Sequence, residues 1–267
     1  MKPSLTRALR ALAVCAPLAL TPGCRMLAGL PAEPTLNEVF VVGTLHGGHL
    51  EDEVYTLERL EAVIRALDPQ LVLVEIPPDR FPLAWNEFVS TGEVTEERVV
   101  LYPEFTEVLF PLALEGRLEL VPCSAWTQSM SDRRAALLSQ WRTTRPADTR
   151  EVDRARAAAS AKQEEEGLAS DPLGIHTARY DELVDEGMEP YERLFARDLG
   201  PGGWTQINLA HHRRVAEALD EVSGDGKRVL VVFGAWHKGR LRDLLAERED
   251  IRLRRLPEVL PADLQVP

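Results

Sequence analysis

The feature that most constrains the fold is a pattern that occurs twice, a short apolar run followed by Gly-x-x-His. The first copy spans residues 38–46 and the second spans residues 228–237. Short apolar runs without polar alternation are typical of strands buried on both faces, as in a parallel sheet. In open α/β sheets, ligands bind at the carboxyl ends of such strands. We therefore expect His46 and His237 to face one crevice, and the glycine of each motif to let the chain turn sharply out of its strand.

The residues after the first motif indicate a strand–helix–strand unit. Apolar residues recur with a helical period over 50–67, Asp68-Pro69 ends that helix, and 71–76 form a second apolar run. This order predicts parallel strands joined by a right-handed crossover. We therefore predict one α/β domain over residues 38–260, with a mainly parallel central sheet flanked by helices.

The middle of the chain differs in composition from the rest. From residue 127 onward Arg, Ala, Glu and Gln dominate and large apolar side chains are few, whereas 179–199 carry an apolar stripe with helical spacing. We predict a helical insertion at about 127–200, formed by charged helices that project from the core and are candidates for a lid.

The start of the chain has the layout of a bacterial secretion signal. Its basic residues are Lys2, Arg7 and Arg10. An apolar segment at 11–20 follows, and the Gly-Cys pair ending at Cys24 resembles a lipoprotein cleavage site. We predict a signal peptide over 1–24 and a linker over 25–37. The protein would then be exported, either periplasmic or a lipoprotein anchored to the membrane only through Cys24, with ordinary cleavage near Ala28 as the alternative.

The composition of the chain limits the class of protein, the partners and the kinds of metal site to expect. The chain has 267 residues, of which 45% are hydrophobic and 28% charged, as in a soluble globular protein. A formal net charge of -12 argues against a nucleic-acid partner, because phosphate binding requires a basic face. No Cys-x-x-Cys is present, so a thiolate zinc site is not expected. Cys123 stands alone, unless it pairs with Cys24.

One carboxylate interrupts the second apolar run at its carboxyl end. A buried charge of this kind needs a partner, and Arg80 is the local candidate for Glu75. Two imidazoles and a carboxylate also suit a divalent cation such as Mn, Co or Zn, which activates water for attack on an amide or ester. Alternatively, His46 acts as a general base that Glu75 orients. The residues alone leave these three roles of Glu75 open. We expect His49 and His176, which lie outside the two motifs, to face solvent.

The two motifs together with Glu75 resemble the TraB/Tiki superfamily. Its members include TraB- and GumN-like proteins, Tiki-type proteases, erythromycin esterases and ChaN-like haem-binding lipoproteins. The similarity covers residues 38–80 and 204–247. It implies that His46, Glu75 and His237 form the site.

The resemblance also bears on residues outside the two motifs. Asn208 lies where the family often has an Arg-Asn pair, although Ile207 replaces the arginine here. The family uses further glutamates, for which Glu104 and Glu107 are candidates.

These observations lead to an expected function. We expect an exported, metal-dependent hydrolase of peptide or ester bonds. The expected catalytic and metal-binding residues are His46, Glu75 and His237, and the expected substrate-binding residues are Arg80, Asn208 and Trp236. The alternative is a non-enzymatic lipoprotein of the ChaN-like type that binds haem or a peptide.

Overall fold

Five short strands form a parallel sheet at the centre of the protein. They are β1 (Asn37–Thr44), β2 (Leu71–Val74), β3 (Glu119–Pro122), β4 (Arg228–Gly234) and β5 (Ile251–Arg254). Their order across the sheet is β3-β2-β4-β1-β5, and every neighbouring pair is parallel. The computed structural model describes residues 35–169 and 171–265. The predicted signal peptide, with Cys24, and the linker up to residue 34 lie outside the described residues.

Eight α-helices in the described part of the chain flank the sheet. They are α1 (Leu57–Leu67), α2 (Phe81–Thr91), α3 (Phe110–Leu114), α4 (Gln128–Thr144), α5 (Pro146–Glu165), α6 (Ala178–Leu199), α7 (Trp204–Glu221) and α8 (Ala235–Leu245). The predicted α/β fold with a parallel sheet is confirmed. No helix among these residues is long and apolar enough to cross a bilayer.

The central strands β1, β2 and β4 have apolar interiors because each one contributes to two cores. In β1, Val39 and Val41 pack into one cluster, and Phe40 and Val42 pack into the other. Because side chains alternate between the faces of a strand, both faces of the sheet are covered at these strands. Burial of one such side chain contributes about 1.5–3 kcal/mol.

The strands of the two motifs are neighbours in register. Gly43 lies opposite Phe233, and Thr44 lies opposite Gly234. The strand–helix–strand prediction is correct in giving parallel strands, but β1 and β2 are not adjacent, because β4 lies between them. β4 therefore holds the two N-terminal strands together.

The helical insertion consists of α4, α5 and α6. It packs onto the main body rather than projecting from it, since Trp141 of α4 and Phe195 of α6 stack with ring centroids 4.3 Å apart and belong to the same core as the strands. Lys238 of α8, which is only 1% exposed, also holds α6 through an ion pair of 2.6 Å with Asp181. The expectation of projecting helices was wrong because a few large aromatic side chains suffice for docking.

Candidate functional site

The two Gly-x-x-His motifs bring their histidines to the carboxyl edge of the sheet through different local structures. His46 begins a 3-10 turn and has a positive φ of 52°, a conformation that is uncommon for residues other than glycine. His237 lies in the first turn of α8. Glu75 follows β2 directly and completes the group at the same edge. The predicted convergence of these three residues is thus present in the structure.

The glycines of the motifs serve close approach rather than a sharp turn. Neither Gly43 nor Gly234 has a positive φ. A β-carbon on Gly43 would lie 2.8 Å from Cα of Ala235, and one on Gly234 would overlap Nε2 of His46. Each glycine therefore makes room for a residue of the other motif, which corrects the role expected from the sequence.

The Glu75 carboxylate lies between the two motif histidines. Its Oε2 accepts the backbone N–H of Gly234 at 2.8 Å and is 3.9 Å from Nε2 of His46, while its Oε1 is 3.8 Å from Nε2 of His237. Burial raises the pKa of Glu75, although His46 and the Gly234 amide act in the opposite direction. Glu75 therefore binds a proton more readily than an exposed glutamate does, despite these two neighbours.

Arg80 does not take either of its predicted roles. It contacts Glu96 at 3.4 Å and Asp79 at 3.3 Å, and it forms no ion pair with Glu75 among the described residues. It also lies outside the lining of the cavity described below. The salt bridge to Glu75 was a wrong prediction, because the turn after β2 directs Arg80 to the carboxylates of its own segment.

His46 is held by a buried glutamate. Its Nδ1 lies 2.6 Å from Oε1 of Glu104, which also accepts a hydrogen bond of 2.8 Å from the hydroxyl of Thr44. Burial alone would lower the pKa of His46, but the charge and hydrogen bond of Glu104 and the charge of Glu75 together outweigh it, so the pKa is raised. Burial likewise opposes ionisation of Glu104, yet His46 and Thr44 lower its pKa. The Nδ1 proton of His46 therefore faces Glu104, and Nε2 is the nitrogen that faces the cavity.

His237 is held by Asn208 in a similar way. The amide nitrogen of Asn208 donates to the carbonyl of Trp204 at 2.8 Å, which directs Oδ1 toward Nδ1 of His237 at 2.9 Å. Burial, followed by the neighbouring His211 and His46, places the pKa of His237 well below its usual value. His237 is therefore neutral, donates from Nδ1 and keeps the lone pair of Nε2. Asn208, predicted to bind substrate, is buried beside His237 and positions that ring instead.

A group of three residues is compact enough to hold a metal ion. The ligand atoms of Glu75, His211 and His237 lie within 4.8 Å of one another. His211 is fully buried on α7, its Nδ1 accepts the N–H of Ala125 at 3.0 Å, and burial is the main reason that its pKa falls to about 3. Sequence reasoning missed this residue, although Asn208 and His211 are three positions apart and so share a helix face.

The site opens into a cavity of about 760 Å³. Its floor includes His46, Glu75 and His237, and Trp236 also lines it. The opposite wall comes from the helical insertion, which contributes Arg134, Arg156, Met188 and Tyr191. The insertion therefore contributes to the cavity at the carboxyl edge of the sheet, and its role as a lid stays a prediction.

Two histidines expected to face solvent are engaged in the structure. His49 is 3% exposed and its Nε2 accepts the N–H of Leu45 at 2.9 Å. Nε2 of His176 accepts the N–H of Gly43 at 2.8 Å, and burial lowers the pKa of His176 to about 3. Both rings therefore support the backbone around the first motif. Of the two further glutamate candidates, Glu104 is buried at the site and Glu107 is exposed.

Comparison with known proteins finds no significant relative of this chain. No protein-family model matches the chain, and no curated protein is significantly similar to it. No solved structure matches it significantly either. The resemblance of the two motifs to the TraB/Tiki superfamily therefore remains a sequence-based expectation.

Proposed function

We propose that the protein is a hydrolase of peptide or ester bonds that depends on a divalent metal ion. Its site would consist of His46, Glu75 and His237. One observation carries the proposal: the Glu75 carboxylate lies between two imidazole Nε2 atoms, and the opposite nitrogen of each ring is engaged by an acceptor. The following points support it.

The state of the two rings suits metal ligation. Metal-binding histidines usually donate their second ring N–H to a carboxylate or carbonyl oxygen, which fixes the tautomer. Glu104 does this for His46, and Asn208 does it for His237. Zn²⁺ ligands lie about 2 Å from the ion, so neighbouring ligands are roughly 3.3–4 Å apart. The separations of 3.9 and 3.8 Å between Glu75 and the two Nε2 atoms agree with that spacing.

His211 fits a different role. Because the amide of Ala125 occupies the lone pair of Nδ1, the proton of the neutral ring is on Nε2. That nitrogen is buried and has no hydrogen-bond partner among the described residues. The ring therefore offers an N–H group rather than a free lone pair, and we assign it as a donor near His237.

The chain's own residues supply the remaining chemistry. A bound divalent cation acidifies water and polarises a carbonyl. Glu104 stabilises a positive charge on His46, much as the carboxylate of a catalytic triad does for its histidine. Without a cation, the same arrangement makes His46 a general base whose Nε2 faces the cavity.

The test combines metal analysis with hydrolysis assays. We expect the purified domain to bind Mn, Co or Zn, chelation to abolish cleavage of a peptide and ester library, and added metal to restore it. His46→Ala, His237→Ala and Glu75→Gln should each lower the rate by about two to four orders of magnitude. His212→Ala is the matched control, since His212 is on α7 but outside the site.

The outcomes separate the competing interpretations. Cleavage that survives chelation but is lost in His46→Ala would favour His46 as a general base. Full activity of Glu75→Gln would exclude Glu75 as a ligand. An inactive wild type that binds haem or a peptide tightly would favour the binding-lipoprotein alternative.

We also propose that the protein is exported. The basic and apolar start of the chain and the Gly-Cys pair at Cys24 support this. Cell fractionation should place the protein outside the cytoplasm, and incorporation of a lipid precursor should disappear in Cys24→Ala. Recovery of the uncleaved chain in the cytosol would contradict the proposal.

A further inference from the structure

Three arginines line the cavity above the site. Arg98 lies between α2 and α3, Arg134 is on α4 and Arg156 is on α5. The hydrogen bonds of their guanidinium groups all go to uncharged groups. Arg98 donates to the carbonyl of Trp126 at 3.1 Å, Arg134 to the hydroxyl of Tyr191 at 3.0 Å, and Arg156 to the sulfur of Met188 at 3.5 Å.

The three cavity arginines lack carboxylate partners although all three are half-buried. The chain has 43 acidic residues against 31 basic ones, and Arg145, Arg179 and Arg248 each form ion pairs. In the described part of the chain, no acidic side chain forms an ion pair with any of the three cavity arginines. Nη1 of Arg98 and Nε of Arg156 are buried and have no hydrogen-bond partner there either. Leaving such donors unsatisfied is costly unless a ligand engages them.

The positive charges are also close to one another and to the floor. The guanidinium groups of Arg134 and Arg156 both lie over the ring of Tyr191, at 6.0 and 4.5 Å from its centroid. Tyr102, whose ring is 4.6 Å from that of His46, lies within the electrostatic reach of Arg98 and Arg134. An anion bound by these arginines would therefore lie in the same cavity as the histidines and Glu75.

We propose that Arg98, Arg134 and Arg156 bind an oxyanionic group of the substrate, a carboxylate or a phosphate, next to the bond that is cleaved. Guanidinium groups match both oxyanions with paired hydrogen bonds. Trp126, Met188, Tyr191 and Trp204 give the cavity an apolar wall for the rest of the molecule. Cleavage at this position rests on the proposed function, whereas anion binding does not.

The test measures binding of small probes by titration calorimetry, with chelator present so that no metal ion can bind the anion. Benzoate and phenyl phosphate represent the two oxyanions, and benzamide is the neutral counterpart of benzoate. We expect saturable binding of at least one anion and binding of benzamide at least about tenfold weaker. The anion that binds more tightly shows whether the site prefers a carboxylate or a phosphate.

Matched variants locate the binding site. Arg134→Gln and Arg156→Gln should each weaken anion binding by about tenfold or more, and Arg134→Lys and Arg156→Lys should retain part of it. Arg142→Gln on α4 and Arg154→Gln on α5 remove exposed arginines from the same helices and should keep the wild-type affinity. Circular dichroism checks that each variant is folded. If a glutamine variant unfolds, the test uses the anion affinity of the matching lysine variant and the preference of the wild type for the anions over benzamide.

The results that would overturn the anion site differ from those that would overturn the proposed hydrolase. Equal affinity for benzoate and benzamide, or undiminished anion binding in both glutamine variants, would overturn the anion site even if hydrolysis occurs. Saturable, arginine-dependent anion binding by a protein without hydrolytic activity would uphold the anion site and reject the hydrolase.

Discussion

A β-carbon on Gly234 would overlap Nε2 of His46, so the two motifs fit together only because this position is a glycine. The reverse contact exists as well, since Gly43 lies against Ala235 of the second motif. The duplicated pattern is therefore one interlocked unit, in which each half determines the space that the other half occupies.

Gly234→Ala should displace His46 and impair the site. The φ of −50° at Gly234 is accessible to alanine, so the expected effect is steric rather than conformational. We expect a stability loss of about 1–3 kcal/mol from overpacking, together with a much larger fall in hydrolysis and metal affinity. Gly47→Ala is the control, because nothing lies within 4 Å of a β-carbon there. Thermal unfolding and rate measurements on both variants check the prediction, and an active Gly234→Ala protein would show that His46 need not hold its position.

Asn208→Ala should weaken metal binding without removing a ligand. The variant deletes the acceptor that holds Nδ1 of His237, so the ring loses its fixed orientation and tautomer. Losses of this kind commonly cost about 10–100-fold in metal affinity or activity. Asn208→Asp, which keeps an acceptor, should recover most of the affinity in a competition assay with a metal indicator. Equal affinities of the alanine variant and wild type would assign Asn208 a packing role only.

His176 should make the protein sensitive to acid. Burial, followed by the charges of Lys238 and Arg242, lowers the pKa of His176 to about 3 from an ordinary value of 6.5. The folded state binds this proton less readily than the unfolded state does. His176 therefore leaves the free energy of unfolding undiminished above pH 6.5, where the ring is neutral in both states. The free energy of unfolding decreases as the pH falls toward 3, by up to about 1.4 kcal/mol per pH unit. Denaturant unfolding between pH 7 and 4 should show a steeper fall for wild type than for His176→Gln, whereas parallel curves would contradict the assignment.

Lys238→Met should destabilise the protein by leaving Asp181 without its cation. Breaking a buried pair from one side costs about 3–5 kcal/mol, and we expect the lower end because Asp181 is 24% exposed. The double variant Lys238→Met/Asp181→Leu should recover part of the loss, since no unpaired charge remains. Chemical denaturation of the three proteins measures the difference, and a double variant less stable than Lys238→Met would refute this explanation.

The sheet was predictable because its physical cause is local. An uninterrupted apolar run such as Val39–Val42 has no polar face to give to solvent, which indicates a strand between two cores. The same argument predicted parallel strands whose carboxyl ends lie at one edge of the sheet. It therefore also predicted that His46, Glu75 and His237 converge there.

The choice between the two further glutamates was not predictable in this way. Glu104 and Glu107 are three residues apart and would share one face of an α-helix. They lie instead on a π-helical segment, Glu104–Leu109, whose wider winding buries the first and exposes the second. The hydrogen bond between His176 and Gly43 joins residues 133 positions apart in the sequence, so no local sequence pattern predicts it.

The position of β4 between β1 and β2 makes the candidate site a property of the finished sheet. Two strand spacings separate β1 from β2, about 9.6 Å, and only β4 bridges that gap. Until it docks, Glu75 lacks both the amide of Gly234 and its contact with His237. A polypeptide that is still being synthesised therefore carries His46 and Glu75 without an assembled site, and docking of β4 completes that site.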